Sequence, residues 1–229
     1  MVIGGLQKLS LIDYPAKVAA VVFTQGCLFR CPYCHNPELV PLKQDSYISE
    51  DDVLRFLNGQ RNFIDGVCIT GGEQTLHHDL PDFIKKIKSM NLLVKLDTNG
   101  INPNMVEKMI AADLLDYIAM DVKHRWEKYD CVAHTGNETA LENCKKTFYL
   151  IQSSGVDHEF RTTVFPAEHA EEDFFTIAGY LLPGEKYYIQ DIRYGKNLNK
   201  HLDKTKELNV SKIAATLRSK YPRVQVDVR

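Results

Sequence analysis

The chain of 229 residues reads as α/β, a mostly parallel sheet with helices outside it, on three observations. Short apolar, β-branched runs alternate with stretches of helical periodicity along its length. The residues richest in chemistry stand directly after those runs, and α/β sheets place their ligand sites beyond the carboxyl ends of their strands. No internal repeat, low-complexity tract or linker interrupts the alternation, so one domain over 1–229 is expected. Six or seven strand-helix units fit the pattern. Periodicity alone leaves a doubly wound sheet and one curled toward a barrel both open.

Residues 1–24 open with LQKLSLIDYP, an extended segment that Pro15 ends, and continue into VAAVVF at 18–23, short and β-branched enough for a buried strand. A strand or hairpin is expected there. Ser49-Glu50-Asp51-Asp52 has capping-box spacing ahead of Val53, Leu54, Phe56 and Leu57, the apolar face of a first helix. VCIT at 67–70 predicts a strand, with Cys68 most simply a core residue. A helix is expected at Leu80, Phe83, Ile84 and Ile87, a strand over 92–96, a helix over 104–112 and a strand over 117–120. Then come a helix around 141–151, with Cys144 on the packed face of Leu141 and Phe148, and a strand over 158–164. A helix near 174–182, a strand over 187–192, and a last helix and strand over 211–228 complete the series. GKNLNKHLDKTKELN at 195–209 is polar and the best candidate for a mobile loop.

Burying about 70 to 75% of its unfolded surface, a chain of this length needs no staple. A formal net charge of -2 gives no basic surplus for nucleic acid. No long apolar span or signal peptide is visible, so no membrane is implied, and six cysteines, three of them clustered, point to a reducing cytoplasm.

Those three cysteines, Cys27, Cys31 and Cys34, lie in GCLFRCPYCHN at 26–36, on a tight loop after the first apolar strand. Soft thiolates at spacings of four and three can converge on one iron-sulfur cluster. With three protein ligands, one iron of a cubane keeps an open position. Cys31-Pro32-Tyr33-Cys34 alone also suits a thiol-disulfide enzyme, but that leaves Cys27 without a role and the chain too long. A closed zinc site would need His35 or a distant Cys as fourth ligand, and no second C-x2-C pair exists. Three buried structural cysteines in eight residues, beside Pro and Arg, fit poorly. Spacing favours the cluster.

At these residues the sequence resembles the radical S-adenosylmethionine superfamily. Through LQKLSLIDYP, FTQGC and CPYCHNPEL it resembles the activating enzymes of glycyl-radical proteins, above all that of the anaerobic ribonucleoside-triphosphate reductase. Ala16 stands where Gly is usual, Leu28 where Asn is usual and Gln74 where Pro is usual; none removes a cluster ligand. The resemblance implies a partial (β/α)6 TIM-like barrel. It also implies a 4Fe-4S cluster whose fourth iron takes the amino and carboxylate groups of S-adenosylmethionine.

Gly71-Gly72-Glu73 ends the second strand, and two glycines let a backbone turn sharply and approach a ligand. A lone Gly-Gly is usually just a turn, but here it sits where the family has its methionine-amine-binding motif. Asp97 and Thr98 end the third strand, Asp121 and Lys123 the fourth. Taken singly they read as helix caps and a solvated lysine. In relatives that activate pyruvate formate-lyase, the residues matching Asp97, Thr98 and Asp121 hold a monovalent cation, and the lysine matching Lys123 meets the cofactor carboxylate. Tyr33 resembles the family aromatic that meets the adenine. His35 reads equally as a loop histidine bonded to backbone, and Asn36 is its neighbour in the same candidate set. Arg161, a charge within a predicted strand, needs a partner and is a candidate for cofactor or substrate-peptide contact.

The resemblance therefore implies one-electron cleavage of S-adenosylmethionine to methionine and a 5'-deoxyadenosyl radical, which takes a hydrogen atom from a backbone glycine of a large partner. A flavodoxin- or ferredoxin-type donor would supply the electron. A pyruvate formate-lyase-type activase or a small-molecule enzyme on the same scaffold is the alternative. A thiol-disulfide or electron-transfer protein is the reading from another class, for which the Gly-Gly-Glu and strand-end acids have no use.

Overall fold

The computed structural model describes residues 1–42 and 48–229. β1 (Ile3–Ser10) runs antiparallel to β2 (Ala19–Thr24), which makes the opening segment a paired strand and not a loose arm. From β2 the sheet is parallel and in chain order through β3 (Gly66–Gly71), β4 (Leu93–Thr98), β5 (Tyr117–Asp121), β6 (Asp157–Thr163), β7 (Lys186–Gln190) and β8 (Gln225–Val228). Helices α1 (Glu50–Gln60), α2 (Leu80–Lys88), α3 (Pro103–Ala111), α4 (Asp130–Ala133), α5 (Glu138–Ser153), α6 (Glu171–Ala178) and α7 (Val210–Lys220) fill the crossovers. Strands β2 to β7 are each followed by helix, the six units expected, with β1 and β8 added at the edges. Among the described residues the sheet does not close, because β1 pairs with β2 and β8 with β7 only. The result is a partial barrel.

The two faces of the sheet differ because strand side chains alternate. Val22, Ile69, Val94, Leu96, Ile118 and Phe160 are buried in the main apolar core. Phe83, Ile84 and Ile87 of α2 and Cys144 and Phe148 of α5 belong to the same core, as their periodicity predicts. The opposite face carries Lys95 and Asp97 on β4, Asp121 on β5, and Glu159 and Arg161 on β6. The register sets Cys68 beside Lys95 and Asp121 beside Arg161. Polar groups on a barrel's inner face have to be paired with one another or with a ligand.

Local chemistry fixes the boundaries. The Ser49 hydroxyl accepts from Asp52 N at 3.1 Å, capping α1 as its spacing predicts, and it donates to the Asp52 carboxylate at 2.6 Å. α6 starts earlier than 174 because the Asp173 carboxylate accepts from Ala170 N at 2.7 Å and fixes the first turn there. α4 is absent from the sequence reading, since four residues are too few for a helical period. No helix among the described residues is long and apolar enough to cross a membrane.

Candidate active site

At the carboxyl ends of the parallel strands lies a cavity of about 720 Å³. Its wall includes Cys27, Cys31, Tyr33, Cys34, His35 and Asn36 from the loop after β2. Gly71 and Gly72 after β3, Asp97 and Thr98 of β4, Asp121 and Lys123 at the end of β5, and Arg161 of β6 complete it. Of the residues singled out in the sequence, Glu73 alone does not face it.

The cysteine loop is held from three sides. Gly26 N and Cys27 N donate to the carbonyls of Leu39 and Val40 at 2.8 and 3.0 Å, and Arg30 N donates to Ala133 O at 2.9 Å. Leu198 N and Asn199 N reach the carbonyls of Cys34 and Pro32 at 3.1 and 2.9 Å. All three thiols are free. Burial pushes Cys27 up to about 11 and Cys31 up to about 12, with the Lys123 ammonium opposing it, and raises Cys34 as well. Phe29 N and the Asn99 amide lie 3.4 and 3.7 Å from Cys27 Sγ, as donors toward a sulfur ligand. Among the described residues no three His, Cys, Asp or Glu gather as a single metal ion requires. Three soft, unpaired thiols on one loop and one cavity wall are a donor set that fits an iron-sulfur cluster.

The Gly-Gly-Glu turn owes its glycines to the protein itself. Gly71 has φ +114°, and a Cβ on Gly72 would lie 2.3 Å from Gly26 O. Gly72 N donates to Thr24 O at 2.9 Å and Glu73 N to Gly26 O at 2.7 Å, so these amides tie β3 to the cysteine loop and are not open to a ligand. Glu73 is fully buried. Its Oε1 accepts from the hydroxyls of Thr75 and Thr98 at 2.6 and 2.8 Å, and its Oε2 from Asn99 N at 2.7 Å. Burial raises its pKa against those donors. The expectation of a direct ligand contact by Glu73 therefore gives way to a brace between the ends of β3 and β4.

The opposite wall is a chain of ion pairs. Lys95 Nζ pairs with Asp97 Oδ1. Arg161 Nη1 reaches Asp97 Oδ2 at 3.2 Å and its Nε reaches Asp121 Oδ1 at 2.8 Å. Lys123 Nζ takes Asp121 Oδ2 at 3.0 Å. Glu159, fully buried below, accepts from Arg229 at 2.6 and 2.9 Å and from the Tyr117 hydroxyl at 2.8 Å. Burial alone would raise both aspartates, but Arg161 with Lys95 at Asp97, and Arg161 with Lys123 at Asp121, hold them below the usual carboxylate range. Burial likewise opposes the charge on Lys123, and Asp121 outweighs it, so Lys123 stays protonated.

These pairings bear on the expected monovalent-cation site. Both oxygens of Asp97 and of Asp121 already have cationic donors, and the Thr98 hydroxyl donates to Glu73. An alkali ion at these residues would have to share each carboxylate oxygen with a protein donor already on it. S-adenosylmethionine fits better. Lys123 and Arg161 offer cations to a carboxylate, and the Tyr33 hydroxyl oxygen and Gln74 Oε1 are buried with no hydrogen-bond partner. Both residues line the cavity.

The structure adds residues that the sequence reading passed over. Lys95 lay within a segment read as an apolar strand, although strict alternation sets it on the face of Asp97. Asn197 lay in the stretch expected to be mobile. It is buried, and its amide donates to Tyr33 O at 2.9 Å and Arg193 O at 3.1 Å. Tyr33 packs edge-on to Phe165, with ring centroids 5.6 Å apart. His35 is exposed, and its Nδ1 lies 3.5 Å from that amide. Partial desolvation of the ring against its loop, and then Arg193, lower its pKa.

The pattern of the radical SAM superfamily matches residues 21–176. A Methanocaldococcus jannaschii protein named for a glycyl-radical enzyme activating role is 35% identical over 191 residues, covering 82% of this chain and 78% of its own. The pyruvate formate-lyase-activating enzyme of Clostridium pasteurianum is 30% identical over 140 residues, 58% of each chain. The crystal structure of Streptococcus suis SuiB bound to S-adenosylmethionine superposes with a TM-score of 0.71 at 12% identity. That match covers 91% of this chain and 49% of SuiB, and at such identity it shows the fold alone.

Proposed function

This chain belongs to the radical SAM superfamily, among the glycyl-radical enzyme activating enzymes, and on that premise we propose that it generates a glycyl radical on a large partner enzyme. The observation that carries the reading is convergence: apart from Glu73, every residue singled out for a cluster and for S-adenosylmethionine lies on the wall of one cavity. Cys27, Cys31 and Cys34 would hold the cluster, and its open iron would take the methionine group of the cofactor. When bound, the pair supplies a one-electron cleavage of the sulfonium and a carbon radical able to remove a hydrogen atom.

The chain's own residues have four tasks. Lys123 and Arg161 neutralise the methionine carboxylate. The carbonyl side of the Gly71-Gly72 turn and the Gln74 amide offer acceptors to its ammonium, which suits a donor better than the amides already used in the fold. Tyr33 borders the adenine. The buried ion pairs keep water out of the floor beneath the reacting atoms.

The partner we propose is the anaerobic ribonucleoside-triphosphate reductase, on the resemblance of residues 5–39. A pyruvate formate-lyase is the second reading, favoured by the similarity to the C. pasteurianum enzyme. A flavodoxin- or ferredoxin-type protein would supply the electron. The test reconstitutes the chain anaerobically, reduces it, and offers each partner in parallel with S-adenosylmethionine. A glycyl radical seen by electron paramagnetic resonance on the reductase is the expected result. A radical on the lyase alone moves the partner, and rapid turnover of a small molecule with a radical on neither overturns the activase reading.

A further inference from the structure

The charges around Asp97 and Asp121 bear on how this chain binds its cofactor. Three protein cations, Lys95, Arg161 and Lys123, meet two carboxylates, Asp97 and Asp121. The Glu159–Arg229 pair beneath them is balanced, with Arg161 Nη1 3.9 Å from Glu159. Neither aspartate is left uncompensated, and with Asp13, Asp191 and Arg193 also on the cavity wall its positive and negative side chains are close to balanced. An alkali ion beside these aspartates would share each oxygen with a cation already bonded to it, and would stand among three fixed like charges.

Lys95 is the member that has no other evident purpose. It is 1% exposed, on the inner face of β4, with Nζ on Asp97 and 3.7 Å from Cys68 Sγ. An ammonium buried this deeply persists only when paired, and an apolar side chain at that position would pack beside Cys68 and Tyr117 without the desolvation. We propose that Lys95, acting with Arg161, is a built-in counter-cation that takes the place of an exchangeable monovalent cation, so that this chain binds S-adenosylmethionine without potassium or sodium. Lys95 is a positioning residue. By holding Asp97 Oδ1 it leaves Arg161 bridged between Asp97 and Asp121, and Lys123, paired through Asp121 Oδ2, at the cavity wall. The identity of the ligand rests on the activase reading; the ion pairs of Lys95 and Arg161 do not.

Two measurements on the cluster-loaded protein test this. In the first, S-adenosylmethionine binding is followed by equilibrium dialysis at fixed ionic strength, in potassium, sodium or tetramethylammonium chloride. Affinity should agree within about twofold across the three salts. A loss of about tenfold in tetramethylammonium would overturn the proposal. In the second, the sodium-23 line width is titrated with protein in the absence of cofactor, and no broadening above that of a Lys123→Met control is expected. Lys95→Met should create the missing dependence: weaker cofactor binding in tetramethylammonium, restored several-fold by potassium or sodium. Equal affinity of Lys95→Met in all three salts would refute the role of Lys95. If S-adenosylmethionine fails to bind in every salt, the activase reading falls, and the sodium line width of the unaltered chain still decides whether an alkali ion occupies the acids.

Discussion

A methyl group on Gly72 has nowhere to go, because the Gly26 carbonyl oxygen is a backbone atom of the loop that carries the cysteines. Gly72→Ala should therefore force β3 and that loop apart, costing on the order of 2 to 3 kcal/mol, and should lower iron content after reconstitution although no ligand is touched. Urea unfolding and iron analysis of the variant check this; full iron loading at unchanged stability would show that the loop can give way. Ala16 is the converse case. Its φ of 55° lies in the left-handed region, where an L side chain is strained and glycine is not, so Ala16→Gly should stabilise by about 1 kcal/mol, read as a higher urea midpoint. The sequence makes such residues visible as Gly-Gly-Glu or as a departure from a pattern. It does not say which neighbour claims them: besides Thr75, the donors that occupy Glu73 are Thr98 at the end of the next strand and Asn99 just after it. Lys95 was hidden for the same reason, since its partner Asp97 had been assigned to a ligand.

Strands and long helices were legible because each has a period, and the apolar faces of α2 and α5 lie where their spacing places them. What lacks a period was not. The short α4 closes under the cysteine loop by accepting Arg30 N at Ala133, and the polar segment between β7 and α7 meets that loop through one side chain and two backbone amides. Asn197, Leu198 and Asn199 bond to the carbonyls of Tyr33, Cys34 and Pro32, so this segment latches the cluster loop from the β7 side. Asn197→Ala should leave the buried Tyr33 carbonyl without its donor, a loss of about 1 to 3 kcal/mol. A latch acts on retention more than on binding chemistry. The expected signature is faster iron loss to a chelator at an unchanged initial iron content, whereas a variant that releases iron at the original rate would mean the latch carries no load.

Across the whole molecule the unclosed sheet leaves the charged inner face reachable, and the buried titratable groups then decide how stability varies with pH. His169 is nearly fully buried; its Nδ1 accepts from Phe165 N at 2.9 Å, so its proton sits on Nε2, 3.0 Å from the Lys123 carbonyl it serves. Burial first, and then the His124 ring at a centroid distance of 4.5 Å, push His169 down to about 3. His124 is lowered in the same direction, by burial against the pull of Asp173. An unfolded histidine titrates near 6.5, so between about pH 3 and 6.5 the unfolded chain binds more protons than the native one, and stability must fall as pH falls. The slope is about 1.4 kcal/mol per pH unit for each such group. His158 does not offset this: Glu185 raises its pKa against the effect of burial, so its contribution is complete below the unfolded value and is lost only as pH rises above it. Asp97 and Asp121 are held low, so their stabilisation persists down to about pH 4 and disappears in more acid solution. The urea midpoint of the reconstituted protein should thus drop steadily from pH 6.5 to 4.5, a window in which the carboxylates are still ionised. His169→Gln should make that decline less steep, leaving the part due to the other histidines held low, His124, His77 and His35. A midpoint that stays level over this window would mean that one or both of His169 and His124 are protonated in the native state, which at His169 would put a proton on Nδ1 and abolish the hydrogen bond it accepts from Phe165 N.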